Sequence, residues 1–418
     1  MLVEIVCEIT TAVSLTGVWD FGTLSADKED LYIAELVRAE LQRNDAVTSG
    51  LDVNSVATMF SFCLSESQKY ARDECGDECG FVSLRDIERA LVVFSWFYEK
   101  RQLLQLEPPA PRPTPTTGPT AADEPAAEDG FDLIDLLGED DEDDEDLSSG
   151  ATAEYSDASE FDPGVEESLP HSVTSCLILS LAVCYLCKLD GLRNQYAQRV
   201  ASWLQNEDKV QCPEHRLLGP GGTEQVMKVI ERVQNLFGSH LQQTLPDSVA
   251  LNDALCENAF LMIVAIETGV PLFLVGKPGS SKSLAKSAVC DAMHGTGSRS
   301  EFFRQLKHVQ VFSYQCSPLS RSEEIAALFQ RAKKFQLQKQ DANFVSCVVL
   351  DEIGLAEDSE HMPLKILHSL LEKPDGDERG VAFLGISNWV RRCLWLAFPP
   401  FSPWLRKCHA LCFHRLRG

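Results

Sequence analysis

The sequence predicts an α/β fold over residues 245–389: a parallel sheet flanked by helices, preceded by mainly α-helical regions and a disordered acidic linker. Three features predict it. A short apolar run, Pro271–Val275, passes through a Gly-containing loop into a helical pattern that opens on Lys-Ser. A second apolar run, Val345–Leu350, ends in two adjacent carboxylates, Asp351 and Glu352. Upstream, apolar residues recur at helical spacing on both sides of a long Pro-rich and acidic stretch.

Taken in order, residues 1–105 read as helical. Ser83 is placed to cap a helix, with Asp86 at its third position as a short capping box. Leu84, Ile87, Leu91, Phe94 and Tyr98 then form a core-facing stripe. Residues 106–169 read as a linker. It opens on Pro108, Pro109, Pro111, Pro113 and Pro115, which favour extended polyproline II. It runs into eight consecutive acidic residues, Glu139–Asp146, too charged to offset the entropy of ordering. Phe131, Leu133, Ile134, Leu136 and Leu137 within it leave a second reading open, a short amphipathic helix that docks on a partner. Residues 170–244 read as helical again. Leu177, Leu181 and Leu186 share one helix; Val226, Val229, Ile230, Val233 and Leu236 mark another. The α/β core fills 245–389. An atypical tail, 390–418, shows no usable helical or strand periodicity and resembles translated intron or a shifted frame more than domain sequence; a genuine isoform is the other reading.

The net charge of −26 is local, because residues 123–167 hold 20 Asp or Glu and no Lys or Arg. The remainder is mildly acidic, which argues against nucleic-acid binding. Fifteen scattered Cys, with Glu4 and Glu8 where a signal peptide would be basic, predict reduced thiols in the cytoplasm. The most apolar run, Val173–Cys187, is shorter than the roughly 20 residues that span a bilayer, so no transmembrane segment is expected. Cys184 and Cys187 fall in that run and read as core. Cys408, His409, Cys412 and His414 match no zinc spacing, and Cys75 and Cys79 lack partner ligands, so no zinc site is expected.

The loop Gly276, Lys277, Pro278, Gly279, Ser280, Ser281, Lys282, Ser283 is a P-loop candidate between strand and helix. Its backbone N–H groups and the helix N-terminus would wrap phosphates. Lys282 would reach the β- and γ-phosphates of ATP, and Ser283 would hold Mg²⁺. The general pattern has Gly where this chain has Ser281. Asp351 would hold Mg²⁺ through water, and Glu352 would orient and deprotonate the attacking water. A third apolar run, Val381–Ile386, leads to Asn388. Its position is similar to that of the polar sensor residue that ends the next central strand in AAA+ proteins, which implies an amide contacting the γ-phosphate or the water; as a residue after a strand it also fits a plain turn. His308–Ser313 supplies a further strand.

Longer strings narrow the assignment. Val270–Lys286 (including Ser281), Val311–Pro318, Leu350–Ser359, His361–His368 and Gly385–Trp389 resemble the mysterin-type giant AAA+ RING-finger ubiquitin ligases. The resemblance implies an AAA+ core of that family, joined to neighbouring AAA+ modules of a longer chain. It also implies ubiquitin machinery as partner and a cytoplasmic, lipid-droplet-associated setting. Phe81–Ala90 resembles the lid helix of a preceding module, where Arg85 would serve as a sensor; a surface arginine is the other reading. No RING motif stands in this sequence, so ubiquitin transfer is implied for other parts of such a chain. Two alternatives remain: a nucleotide binder that does not hydrolyse, and a scaffold working through its acidic linker. The chain contains no Asn-Lys-x-Asp string for guanine selection.

Overall fold

The computed structural model describes residues 25–43, 53–74, 82–106, 173–189, 191–206, 222–246, 249–339, 341–371, 380–388 and 411–415. Residues 107–169 of the linker, Cys75, Cys79, Cys408 and His409 lie outside them.

Helical periodicity becomes helix as expected in the N-terminal region. Helix α1 (Ala26–Arg43) buries Ile33, Val37 and Leu41, four residues apart, against α2 (Val53–Glu74). Helix α3 (Leu84–Glu99) starts at the capping box, where the Ser83 N–H donates to Asp86 Oδ2 at 2.8 Å. Its stripe buries Ile87, Leu91, Phe94 and Tyr98. Helix α4 (Val173–Cys184) is apolar all round and buried along its whole length, packed against α3. Leu186 does not continue it. The helix gives way to a 3₁₀ turn, Leu186–Lys188, which carries Lys188 into the core. Cys184 and Cys187 are buried free thiols, and burial pushes the Cys184 thiol up to about 12. No helix among the described residues is long and apolar enough to cross a membrane.

Helix α5 (Arg193–Leu204), α6 (Gly222–Gln242) and α7 (Asp253–Thr268) follow. Asn252 caps α7 by accepting from Leu255 N at 2.8 Å, and Gly269, with φ 69°, ends it. Because α7 is buried on nearly every side, it joins the helices to the sheet. Phe260 on α7 stacks on Phe97 of α3 at 6.2 Å and meets Phe237 of α6 edge-on at 5.4 Å. Helices from both sides of the linker therefore share one apolar cluster with α7.

The sheet contains β1 (Leu272–Gly276), β2 (His308–Gln315), β3 (Phe344–Asp351), β4 (Ala382–Ser387) and β5 (Leu411–Arg415). All pairings are parallel, in the order β2-β3-β4-β1-β5. Between strands lie α8 (Lys282–Ala292) and α9 (Ser322–Lys339). Alternation assigns the faces. Leu272, Leu274, Cys347, Val349, Leu384 and Ile386 pack with the α7 side. Phe273, Val348, Leu350 and Phe383 pack on the opposite face with Ile325, Phe329 and Ala332 of α9. Gly385 sits opposite Phe273 in the β1–β4 register, and a Cβ there would lie 2.5 Å from the Phe273 ring.

The tail departs from its sequence reading. Five of its residues, Leu411–Arg415, pair with Leu272–Gly276 as β5. Cys412 and His414 are thus strand residues in register with Phe273 and Val275. The second edge of β1 needs backbone partners, and a short strand can supply them without a periodic signal.

Candidate nucleotide-binding site

Strand order brings the predicted residues together. Strands β1, β4 and β3 are adjacent and parallel, so their C-terminal ends share one edge of the sheet. Ligand crevices of open α/β sheets lie at that edge. The P-loop leaves β1, Asp351 and Glu352 end β3, and Asn388 follows β4.

The loop is tight. Ser280 N donates to Lys277 O at 3.3 Å, and the first helical bond of α8 runs from Ala285 N to Ser281 O at 2.9 Å. Lys282 and Ser283 are therefore first-turn residues of α8, whose leading N–H groups have no acceptor within the helix. Gly279 adopts φ 80°, a left-handed conformation suited to glycine. Ser281 is left-handed too, with φ 58° and ψ 18°. The general motif's Gly has its reason in that conformation, and here a serine bears it at a cost of about 1 kcal/mol.

Lys282 is buried, at 5% exposure, yet its ammonium has three oxygen partners. It donates to Gly276 O at 2.8 Å, Lys277 O at 2.9 Å and Ser280 Oγ at 2.9 Å. Burial lowers its pKa, against the opposing pull of the Glu352 charge. Ser283, Lys277, Pro278 and Gly279 are exposed.

On the carboxylate side, Cys316 N donates to Asp351 O at 2.8 Å, which fixes the end of β3 to the segment after β2. Glu352 is left-handed, with φ 51°. Its carboxylate accepts from the Asn388 side-chain amide and, at 3.5 Å, from Asn388 N. Asn388 thus faces the carboxylate that sequence reading assigned as the base, and strain at Glu352 is concentrated where function is expected.

Three residues had no assigned role at the sequence level. Lys286 Nζ pairs with Asp351 Oδ2 at 2.7 Å, both side chains mostly buried. Its position one helical turn after Lys282 was a usable signal. Asn258 donates to Ser280 O at 2.8 Å, and Asn252 to Ser281 Oγ at 3.4 Å. Both come from α7, well before the motif, and only the tertiary fold brings them there. Arg85 is exposed on α3; the buried carboxylate of that helix is Asp86, paired with Arg89 at 2.7 Å and with Lys188, from the 3₁₀ turn after α4, at 2.8 Å.

The model of the RNF213 AAA domain family matches residues 248–391, the segment from the start of α7 through the end of β4. Residues 248–391 belong to the RNF213 AAA domain family. The mysterin-type resemblance and the α/β AAA+ class read from the sequence are borne out. Similarity extends past the RNF213-type domain. The human E3 ubiquitin-protein ligase RNF213 is 37% identical over 382 residues, 89% of this chain and 6% of that protein. The mouse E3 ubiquitin-protein ligase RNF213 is 36% identical over 383 residues, with the same coverage. The zebrafish (Danio rerio) E3 ubiquitin-protein ligase rnf213-beta is 35% identical over 379 residues, again 89% of this chain and 6% of the relative. The chain thus spans about 6% of the length of the curated relatives it matches. An aligned stretch of that length takes in helical sequence upstream of the RNF213-type AAA domain as well.

Proposed function

We propose that this chain is an ATP-binding and ATP-hydrolysing AAA+ module of a mysterin-like E3 ubiquitin ligase. The observation that carries the proposal is the convergence of Lys282, Asp351, Glu352 and Asn388 at the C-terminal edge of three adjacent parallel strands. The donor set fits Mg·ATP. Lys282 is a buried cation already ringed by oxygens, and the hydroxyl of Ser283 and the carboxylate of Asp351 are hard ligands suited to Mg²⁺. Bound Mg²⁺ would neutralise phosphate charge. Amides along Gly276–Ser283 would hold phosphate oxygens, with Lys282 turning from its carbonyl partners toward them. Ser283 and Asp351 would hold the metal. Glu352 would take the proton of the attacking water, with Asn388 holding that carboxylate in place.

Neighbouring AAA+ modules of a longer chain are the proposed partners in turnover, since an arginine from a neighbour commonly completes such sites. Ubiquitin transfer belongs to other parts of that chain. Cytoplasmic location and lipid-droplet association follow from the resemblance alone.

The test is ATP binding and turnover by the purified chain beside Lys282→Ala and Glu352→Gln. Lys282→Ala is expected to weaken ATP at least about 100-fold, as loss of a charge-assisted contact and the loop's internal anchor. Glu352→Gln is expected to bind ATP normally and lose turnover by about 10²–10⁴. Equal binding by wild type and Lys282→Ala would sink the assignment. Equal turnover by wild type and Glu352→Gln would remove Glu352 as the base.

A further inference from the structure

We infer that Asn258 is a positioning residue that holds the phosphate loop in its working shape from outside. The inference rests on the nucleotide-site reading above and adds a residue to it. Ser281 stands in a left-handed conformation that side chains disfavour, so something must hold it there. The Asn258 amide donates to Ser280 O at 2.8 Å. Asn258 is only 9% exposed, so water cannot readily replace it as donor. The other end of Ser280 is held as well, because its hydroxyl accepts from Lys282 Nζ at 2.9 Å. Asn252 adds a longer contact, 3.4 Å, to Ser281 Oγ. Its orientation is set by capping α7, since its oxygen accepts from Leu255 N.

The peptide between Ser280 and Ser281 follows from this. In a trans peptide the carbonyl and the next N–H point in opposite directions. With the Ser280 carbonyl turned to Asn258 on α7, the Ser281 N–H points away from α7. Flipping that peptide would present a carbonyl to incoming phosphate. Asn258 therefore fixes the polarity of the loop without touching the nucleotide. A glycine at 281 would need the restraint less, because it adopts the left-handed conformation without steric cost.

The experiment uses the full chain with Asn258→Leu and the isosteric Asn258→Asp, each with and without Ser281→Gly. Hydrogen exchange of the Gly276–Leu284 amides and the ATP dissociation constant are measured with the melting temperature. Asn258→Leu is expected to speed loop exchange and weaken ATP, each about tenfold, the scale of one buried hydrogen bond. Asn258→Asp, which keeps the shape but sets a carboxylate against the Ser280 carbonyl, is expected to lose at least as much. In the Ser281→Gly background the loss is expected to shrink to about threefold or less. Loop exchange and affinity within about twofold of wild type, while Lys282→Ala abolishes binding, would overturn the inference and leave the nucleotide site standing. An equal loss in both backgrounds would overturn it too. Failure of wild type to bind ATP would count against the nucleotide site, and loop exchange alone would then decide the role of Asn258. A fall in melting temperature with unchanged loop exchange marks a purely structural role and sinks the inference.

Discussion

Single side chains are held by very different forces in the two halves of this molecule. In the helical half the decisive charge is Asp86, at 3% exposure. Burial pushes its carboxyl up, but Lys188, Arg89 and the Ser83 N–H more than reverse this and bring it down to about 2. A carboxyl depressed in the folded state stabilises the fold above its unfolded value of 3.8, and that contribution is lost as pH falls through about 2. Asp86→Asn is therefore expected to lower stability by about 3–5 kcal/mol near neutral pH, because Lys188 stays buried without its counter-charge. The gap between variant and wild type should close in acid between pH 3.8 and about 2. Denaturant titrations at stepped pH measure both. A gap that stays constant through that window would show that Asp86 acts by packing. In the α/β half the decisive groups are Lys282, whose pKa burial lowers, and Ser281, which carries backbone strain. The Lys-Ser pair and the Asp-Glu pair were readable as candidates because each follows an apolar strand, and the fold brings both to one edge of the sheet. Lys286, Asn252 and Asn258 were not, since their roles depend on which surfaces the fold brings together.

Among the elements, strands β1, β3 and β4 were readable as apolar runs because a parallel strand covered on both faces needs nothing else. Helix α3 was readable from its cap and stripe. Helix α4 was readable as buried, but its end was not. The helical spacing that includes Leu186 continues past the point where the chain turns into 3₁₀. Strand β5 was missed because five residues seldom carry a pattern of their own; its place is defined by the open edge of β1. The pairing of β1 with β4 depends on one close approach. The Phe273 ring, 1% exposed, lies over Gly385 and meets Phe383 edge-on at 5.3 Å. Gly385→Ala puts a methyl 2.5 Å from that buried ring and 3.3 Å from Ile353 Cδ1. The expected cost is about 1–3 kcal/mol. Because β1 leads into the candidate phosphate loop and β4 into Asn388, the same change should weaken the proposed ATP binding, which a matched substitution on the solvent side of α9 should not. Calorimetry beside nucleotide titration checks the pair of effects. A variant as stable as wild type would mean that the sheet shifts to admit the methyl.

Across the whole molecule the central matter is how the helices around the linker relate to the nucleotide edge. The sequence, read alone, divides residues 1–105, 170–244 and 245–389 into separate parts. The structure joins them through α7, whose Phe260 touches aromatic rings of α3 and α6 while Asn258 and the capping Asn252 reach Ser280 and Ser281 of the candidate phosphate loop. At the other end of α7, Glu267 is 5% exposed. It accepts from Trp96 Nε1 at 3.2 Å and from Lys307 N at 2.7 Å, so one carboxylate ties α3 to the entry of β2. If this shared core unfolds as a unit, a ligand that binds only the folded state stabilises every part of that unit equally. ATP at about 100 times its dissociation constant would add about 2.7 kcal/mol. The slowest-exchanging amides of α3 should then gain the same protection as those of β3, although α3 carries no predicted nucleotide contact. Native-state hydrogen exchange with and without Mg·ATP reads this directly. Equal gains would make α3 and α7 part of the ATPase fold. Protection confined to β3 and α8 would show that the N-terminal helices open separately, and the division drawn from sequence would be the correct one. Trp96→Phe sharpens the test, because it removes the hydrogen bond to Glu267 while keeping an aromatic ring. It should lower the protection of α3 more than that of β3 only if that carboxylate couples the two.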